Sequence, residues 1–226
     1  MSCFQLKDKQ SKPCKFCSIL SNHSRDGKIN SPWLFNSKYA AMVSIGSLVP
    51  GWSLICPKEH KINLVSEYTQ SEFWEFATEA VSAIEALYGK TTIFEHGAFD
   101  NQSKTGCGTW HAHLHAVPLN FSLENAVFEF APDMSWEKCK VSDISQISNG
   151  VEYLFMSENF SGISTEGYIC ILKKETSQFF RRVIANELGQ PDEFDYKLYA
   201  MDSISGPSAE KLTSYYEEKY KNTQVA

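Results

Sequence analysis

Residues 109–116, TWHAHLHA, alternate polar and apolar side chains, and that alternation constrains the fold more than any other stretch of the chain. On an extended strand, residues two apart share a face. His111, His113 and His115 are therefore expected to point one way, with Trp110, Ala112, Leu114 and Ala116 lining the other. Such a split suits a strand buried on one side and ended by Pro118. These three are half of the six histidines in 226 residues. A metal site, a phosphate-binding surface and a structural polar face all accommodate three imidazoles at this spacing. Gly106 and Gly108 lie just ahead, where small residues let backbone N–H groups approach an anion closely.

Around this segment the chain reads as mixed α and β. PWLFNSKYAAMVSI and WSLICP, joined across GSLVPG, have the short β-branched and aromatic runs of consecutive strands. YTQSEFWEFATEAVSAIEALYGK is the clearest helix: Phe73, Phe76, Ala77, Ala80, Val81, Ile84 and Leu87 recur at helical spacing. Thr69 and Ser71 offer capping oxygens there, and Gly89 a C-terminal stop. TTIFEH, GVEYLFMS and GYICILKK read as further strands. SQFFRRVIANELG reads as a helix started by Ser177 and stopped at Gly189, and SAEKLTSYYEEKYKNTQVA as a final amphipathic helix. The expected organisation is a tail over 1–12, a first domain over 13–120 and an α+β extension over 121–226.

Bulk properties narrow the function. Fifteen Phe, ten Tyr and five Trp predict a well-packed globular core. A net charge of -6 argues against an extended nucleic-acid interface, which needs many cations along a backbone. A local basic site for one small phosphate ligand stays compatible with an acidic chain. No run of eighteen apolar residues offers a membrane span, and the polar N-terminus lacks the apolar core of a secretion signal. Seven cysteines, an odd number on a long chain, read as reduced thiols plus one metal-binding pair. A cytoplasmic location is the expectation.

HAHLHAVP resembles the His-x-His-x-His-x-x signature of the histidine triad family, PGWSLICPKEH resembles that family's strand, proline, basic residue and histidine, and CKFC resembles its early Cys-x-x-Cys. The order and separations match from residue 14 to 119. The resemblance implies an antiparallel sheet packed with one long and one short helix, commonly as a homodimer, with a nucleotide bound on the histidine face. It implies attack on the α-phosphorus of a nucleoside 5'-phosphoryl derivative by the middle histidine, here His113, giving a nucleotidyl-histidine that water or another acceptor cleaves. Imidazole suits this role, because it is a good neutral nucleophile near pH 7 and its phosphoramidate is labile. His115 becomes the donor to phosphate oxygens, and Gly106, Cys107 and Gly108 stand beside the phosphate. The resemblance also implies one structural zinc on Cys14, Cys17, His60 and His111, so that the triad is divided between architecture and chemistry.

Several positions depart from the family pattern. Trp52 stands where an imidazole flanks the site in relatives, and is expected to stack or pack. Ser44 and Ile45 occupy the region of the acid that grips ribose hydroxyls. Cys107 and Gly108 replace polar residues, and Thr109, on a strand, is expected to face away. Glu95 is a candidate replacement for the ribose acid and His96 for an extra acid or base. Gln178, Arg181 and Arg182 share a helical arc that suits a polyphosphate clamp, and Lys104 is a second candidate for the phosphate tail. The principal reading is a nucleotide hydrolase. A nucleotidyltransferase of the same fold, a nucleotide-binding sensor with little turnover and a metal-dependent hydrolase are the alternatives.

Overall fold

Three short runs of β-forming residues fold as an antiparallel meander in the computed structural model, which describes residues 14–21, 25–100, 102–105 and 109–223. These are β1 (Pro32–Phe35), β2 (Tyr39–Val43) and β3 (Ser53–Pro57). The long helix α2 (Ser71–Tyr88) follows and ends at Gly89 as its periodicity predicts. Its start differs from expectation. Gln70 is the N-cap and makes no side-chain cap bond, while the Thr69 hydroxyl donates to the Ser66 carbonyl.

Next come β4 (Thr91–Gly97) and β5 (Leu114–Pro118), which pair antiparallel, with β5 inserted between β3 and β4. The second half contributes β6 (Glu137–Lys140), β7 (Tyr153–Ser157) and β8 (Glu166–Ile171). Because β7 pairs with β4 from Ile93 to Gly97, one sheet runs unbroken past residue 120. All eight strands are antiparallel, in the order β1-β2-β3-β5-β4-β7-β8-β6. The protein is thus α+β, with six α-helices among the described residues.

Both faces of the sheet are covered. One face packs Ile55, Ile93, Leu114 and Phe155 under α2 and the C-terminal helix α6 (Asp202–Thr223). The other packs Met42, Leu54, Phe94 and Met156 under α1 (Lys15–Leu20), α3 (Leu123–Phe130) and α5 (Phe179–Glu187). Strand β5 is consequently buried along its whole length, unlike the one-sided strand expected from alternation. The cover on the histidine face comes from α1 near the start of the chain and from α3 and α5 in its second half. No described helix is long and apolar enough to cross a membrane.

The second half is fastened at the β2–β3 connection. The Gly46 N–H donates to the Ala200 carbonyl at 2.7 Å, and the Ser205 and Ser208 hydroxyl oxygens accept from the N–H groups of Ser47 and Gly51. Gly46 has φ +68°, and a Cβ there would lie 2.7 Å from both Tyr196 Cβ and the Tyr199 carbonyl oxygen. Glycine lets residues 196–200 close against this turn. Helix α6 begins six residues earlier than expected from Ser208, running through Gly206 and Pro207 rather than starting after them.

Candidate functional site

The CKFC segment closes on the two histidine motifs. Cys14 is the N-cap of the short α1 and Cys17 lies within it. His60 follows β3, and His111 precedes β5. The Cys14 and Cys17 sulfurs lie 3.5 and 3.6 Å from His111 Nδ1, and Cys17 Sγ lies 3.3 Å from His60 Nδ1. All four ligand atoms fall within 4.8 Å of one another. His111 Nε2 is 2.8 Å from the Pro57 carbonyl oxygen. A carbonyl only accepts, so Nε2 carries the proton and the Nδ1 lone pair faces the thiols. Metal-bound histidines are oriented by this kind of outer hydrogen bond. Two thiols and two imidazoles grouped in this way make a fitting cation site.

Residues 109–113 do not continue the strand. Trp110 has φ +46°, a left-handed conformation, and β5 starts only at Leu114. His115 is therefore the one triad residue on the strand, and Trp110 and Thr109 line the same cavity as His113 instead of facing away. The reason is tertiary: His111 is drawn to the thiols and Pro57, and Ala112 N–H donates to the Lys61 carbonyl at 2.6 Å. Phe16 of α1 stacks on the rings of both His111 and His113, at 5.6 Å from each. The cation site and His113 thus share one wall.

His113 Nδ1 lies 2.7 Å from the His111 carbonyl oxygen. That acceptor requires a proton on Nδ1 and leaves the lone pair of the neutral ring on Nε2. His115 has the opposite arrangement. The Trp52 indole Nε1–H donates to His115 Nδ1 at 2.9 Å, and an indole nitrogen never accepts, so the His115 proton sits on Nε2. The rings are neighbours, with centroids 4.7 Å apart. Burial pushes the His113 pKa down to about 4 and holds His115 well below the usual histidine range, with the His113, His96 and Arg181 charges adding to the effect on His115. Both imidazoles are neutral at pH 7.

These two rings border a cavity of ≈ 280 Å³. Its apolar wall includes Phe16, Ile19, Met42, Ile45, Leu54 and Trp110. Lys15 and Arg181 bring positive charge, and no carboxylate is among the described lining residues, on a chain whose net charge is -6. Arg181 is buried, donates from Nε to the Phe194 carbonyl at 2.7 Å and from Nη2 to the Gly46 carbonyl, and sets Cζ 4.9 Å over the Trp52 ring. An apolar slot beside a positive, acid-free end suits an anion carrying an apolar or aromatic group.

Other candidates lie elsewhere. Glu95 is on the opposite face of β4, where it accepts from Tyr68 and Tyr153 hydroxyls at 2.5 Å each and from Leu64 N–H at 2.7 Å. It cannot grip a ligand in the histidine cavity, because alternation along β4 separates it from His96. His96 is buried behind His115, ring centroids 5.7 Å apart, and its Nε2 accepts from Phe180 N–H at 3.4 Å. It does not line the cavity, and burial pushes its pKa down to about 3. Lys104 is exposed and outside the cavity. Gln178 donates to Asp195 at 3.1 Å. Arg182 is exposed, 3.8 Å over the Phe194 ring. The expected clamp breaks up because α5 begins at Phe179, with Gln178 in a left-handed conformation before it, so only Arg181 reaches the cavity. Gly106, Cys107 and Gly108 lie outside the described residues.

Sequence reasoning did not single out Lys15, Asn30 or Tyr196 as cavity residues. Asn30 and Tyr196 come from loops remote in sequence and carry no motif. Lys15 was within reach, since it sits inside CKFC. No protein-family model matches the chain, and no curated protein matches it.

The Glu95 cluster carries its own prediction. Burial raises the Glu95 pKa to about 7, against hydrogen bonds that lower it. The folded state therefore holds the Glu95 proton more tightly than the unfolded chain does. That contribution to stability is fully present below the ordinary glutamate pKa and is lost as pH rises through about 7. Urea unfolding at pH 5 and pH 8 should show wild type losing roughly 3 kcal/mol more than Glu95→Gln over this interval. Parallel pH profiles for the two proteins contradict this.

Proposed function

We propose that the chain is a nucleotide hydrolase of the histidine triad type, acting on a nucleoside 5'-phosphoryl derivative through a nucleotidyl-histidine on His113. The observation that carries this reading is the pair of adjacent neutral imidazoles with opposite polarity at Nε2, set in a cavity with two cations and no acid among its described lining residues. The His113 Nε2 lone pair attacks the α-phosphorus, and the bond from phosphorus to the leaving group breaks with its electron pair going to that group. The His111 carbonyl accepts from Nδ1–H throughout and disperses the charge of the adduct. His115 Nε2–H and Arg181 stabilise the phosphoryl oxygens as charge builds on them. Water then cleaves the phosphoramidate and restores His113, and a second acceptor in its place gives transfer instead.

The Cys14, Cys17, His60 and His111 centre reads as a structural zinc. Tetrahedral zinc, with bonds of about 2.3 Å to sulfur and about 2.0 Å to nitrogen, sets such ligands roughly 3.5 Å apart. The sulfur–nitrogen separations here are 3.3, 3.5 and 3.6 Å. Bound metal would pin α1 to the entrance of β5 and supply no chemistry at His113. The tautomers support that division, since His111 turns its Nδ1 lone pair to the thiols while His115 commits the same atom to Trp52.

A panel comprising a nucleoside 5'-phosphoramidate, a dinucleoside polyphosphate and an adenylylated amine tests the reading by product chromatography. At least one should release nucleoside 5'-monophosphate, and that product should raise the melting temperature of the protein when added in excess. Absence of both turnover and stabilisation across the panel would sink the proposal.

A further inference from the structure

We propose that Trp52 is a positioning residue that bars His115 from the imidazolium form, so that His115 meets a phosphoryl ligand only as a neutral Nε2–H donor. Protonating His115 requires a hydrogen on Nδ1, and that atom already accepts the indole N–H at 2.9 Å. The indole cannot reverse its role, having one N–H and no acceptor. Two donors would then face each other inside a buried contact, at the full cost of leaving both unsatisfied.

Neither ring has room to turn away. Trp52 is fully buried, meets Phe94 edge-on at 5.8 Å and lies beneath the Arg181 guanidinium. Arg181 is itself held by the Phe194 and Gly46 carbonyls. His115 stacks on Phe94 with centroids 4.4 Å apart and an interplanar angle of 20°, and its backbone is paired to Leu54 and Phe94 on either side. The charged and titratable groups around it are His113 before β5, His96 on β4 and Arg181 on α5. All of these are neutral or positive, and Lys15 is the other charged residue among the described residues of the cavity wall. Nothing on these elements would stabilise a second proton.

His115 then acts by hydrogen bonding and keeps its proton throughout the reaction. Only the identity of the ligand rests on the nucleotidyl-transfer reading; the tautomer and the bar to protonation stand on geometry alone. Nitrogen NMR of ¹⁵N-labelled protein, assigned with His115→Gln, tests them directly. In wild type, His115 Nδ1 should have a pyridine-type shift and Nε2 a pyrrole-type shift, with a scalar coupling to the Trp52 indole across the hydrogen bond. His115 should show no titration between about pH 5 and 8, the range in which an ordinary histidine titrates. Trp52→Phe keeps a ring and removes the donor. Burial and Arg181 still hold the His115 pKa low, so the change to read is the tautomer, with the proton no longer confined to Nε2 and the two nitrogen shifts moving toward each other.

Should Trp52→Phe fail to fold, the wild-type coupling and shifts decide the matter. A proton on Nδ1 in wild type, a wild-type titration in this range, or wild-type nitrogen shifts retained by His115 in folded Trp52→Phe would overturn the proposal. Failure of the enzymatic reading would appear as absent turnover with these spectra unchanged, so the two failures are distinguishable.

Discussion

Cys14→Ser should reduce bound zinc from about one per chain to near zero, because a structural site of four ligands rarely survives loss of a thiolate. The consequences extend beyond the ion. Helix α1 has six residues and one fully buried side chain, Leu20, which is too little to hold it against the sheet unaided. Lys15, Phe16 and Ile19 of this helix form cavity wall, and Phe16 lies on the His113 ring. Metal loss should therefore lower the melting temperature by roughly 5–10 °C and raise KM more than it lowers kcat. Metal analysis by mass spectrometry, with calorimetry and steady-state kinetics, checks each part. His113→Ala should keep its zinc. A metal site emptied by His113→Ala would instead place that residue among the ligands.

His113→Ala should lower kcat/KM by roughly 10⁴-fold or more, the scale on which loss of a covalent nucleophile operates. Its ring is half-buried and touches Phe16 and His115, so a cost in stability accompanies the substitution but stays small beside the kinetic effect. Nucleotide binding should persist within about tenfold, because Arg181, Lys15 and the apolar wall remain. Binding and turnover measured on one preparation separate the two. A residual rate within tenfold of wild type would remove His113 from the chemistry.

Much of the first 120 residues is legible because β1 to β4 and α2 each stand between clear turn signals, with a single period in each. The four-ligand cluster is legible only through the resemblance, because spacing alone offers the Cys14–Cys17 pair and does not connect it to His60 and His111. Alternation misleads over 109–113. There the strand pattern continues in sequence, but Trp110 takes a left-handed conformation and His111 is drawn toward the thiols. Glu95 and His96 cannot both face the histidine cavity, since adjacent strand residues point opposite ways. The second half is harder. β6 is the four-residue EKCK with only Cys139 buried, and α3 is capped by Ser122, which accepts from Asn125 N–H at 3.1 Å, without a long period to announce it. That α5 covers the histidine face is a tertiary fact no local pattern contains. Trp52, visible as a departure from the family pattern, acquires a role only once its indole is seen against His115.

Rapid-quench mass spectrometry on wild-type protein looks for the covalent intermediate at His113 itself. Mixed with a substrate from the panel and quenched in base, where phosphoramidates persist, the chain should gain the mass of one nucleotidyl group. Peptide mapping should place that group on His113, and His113→Ala should show none. Turnover by wild type with no adduct at any quench time, or an adduct on another residue, would rule out His113 as the nucleophile.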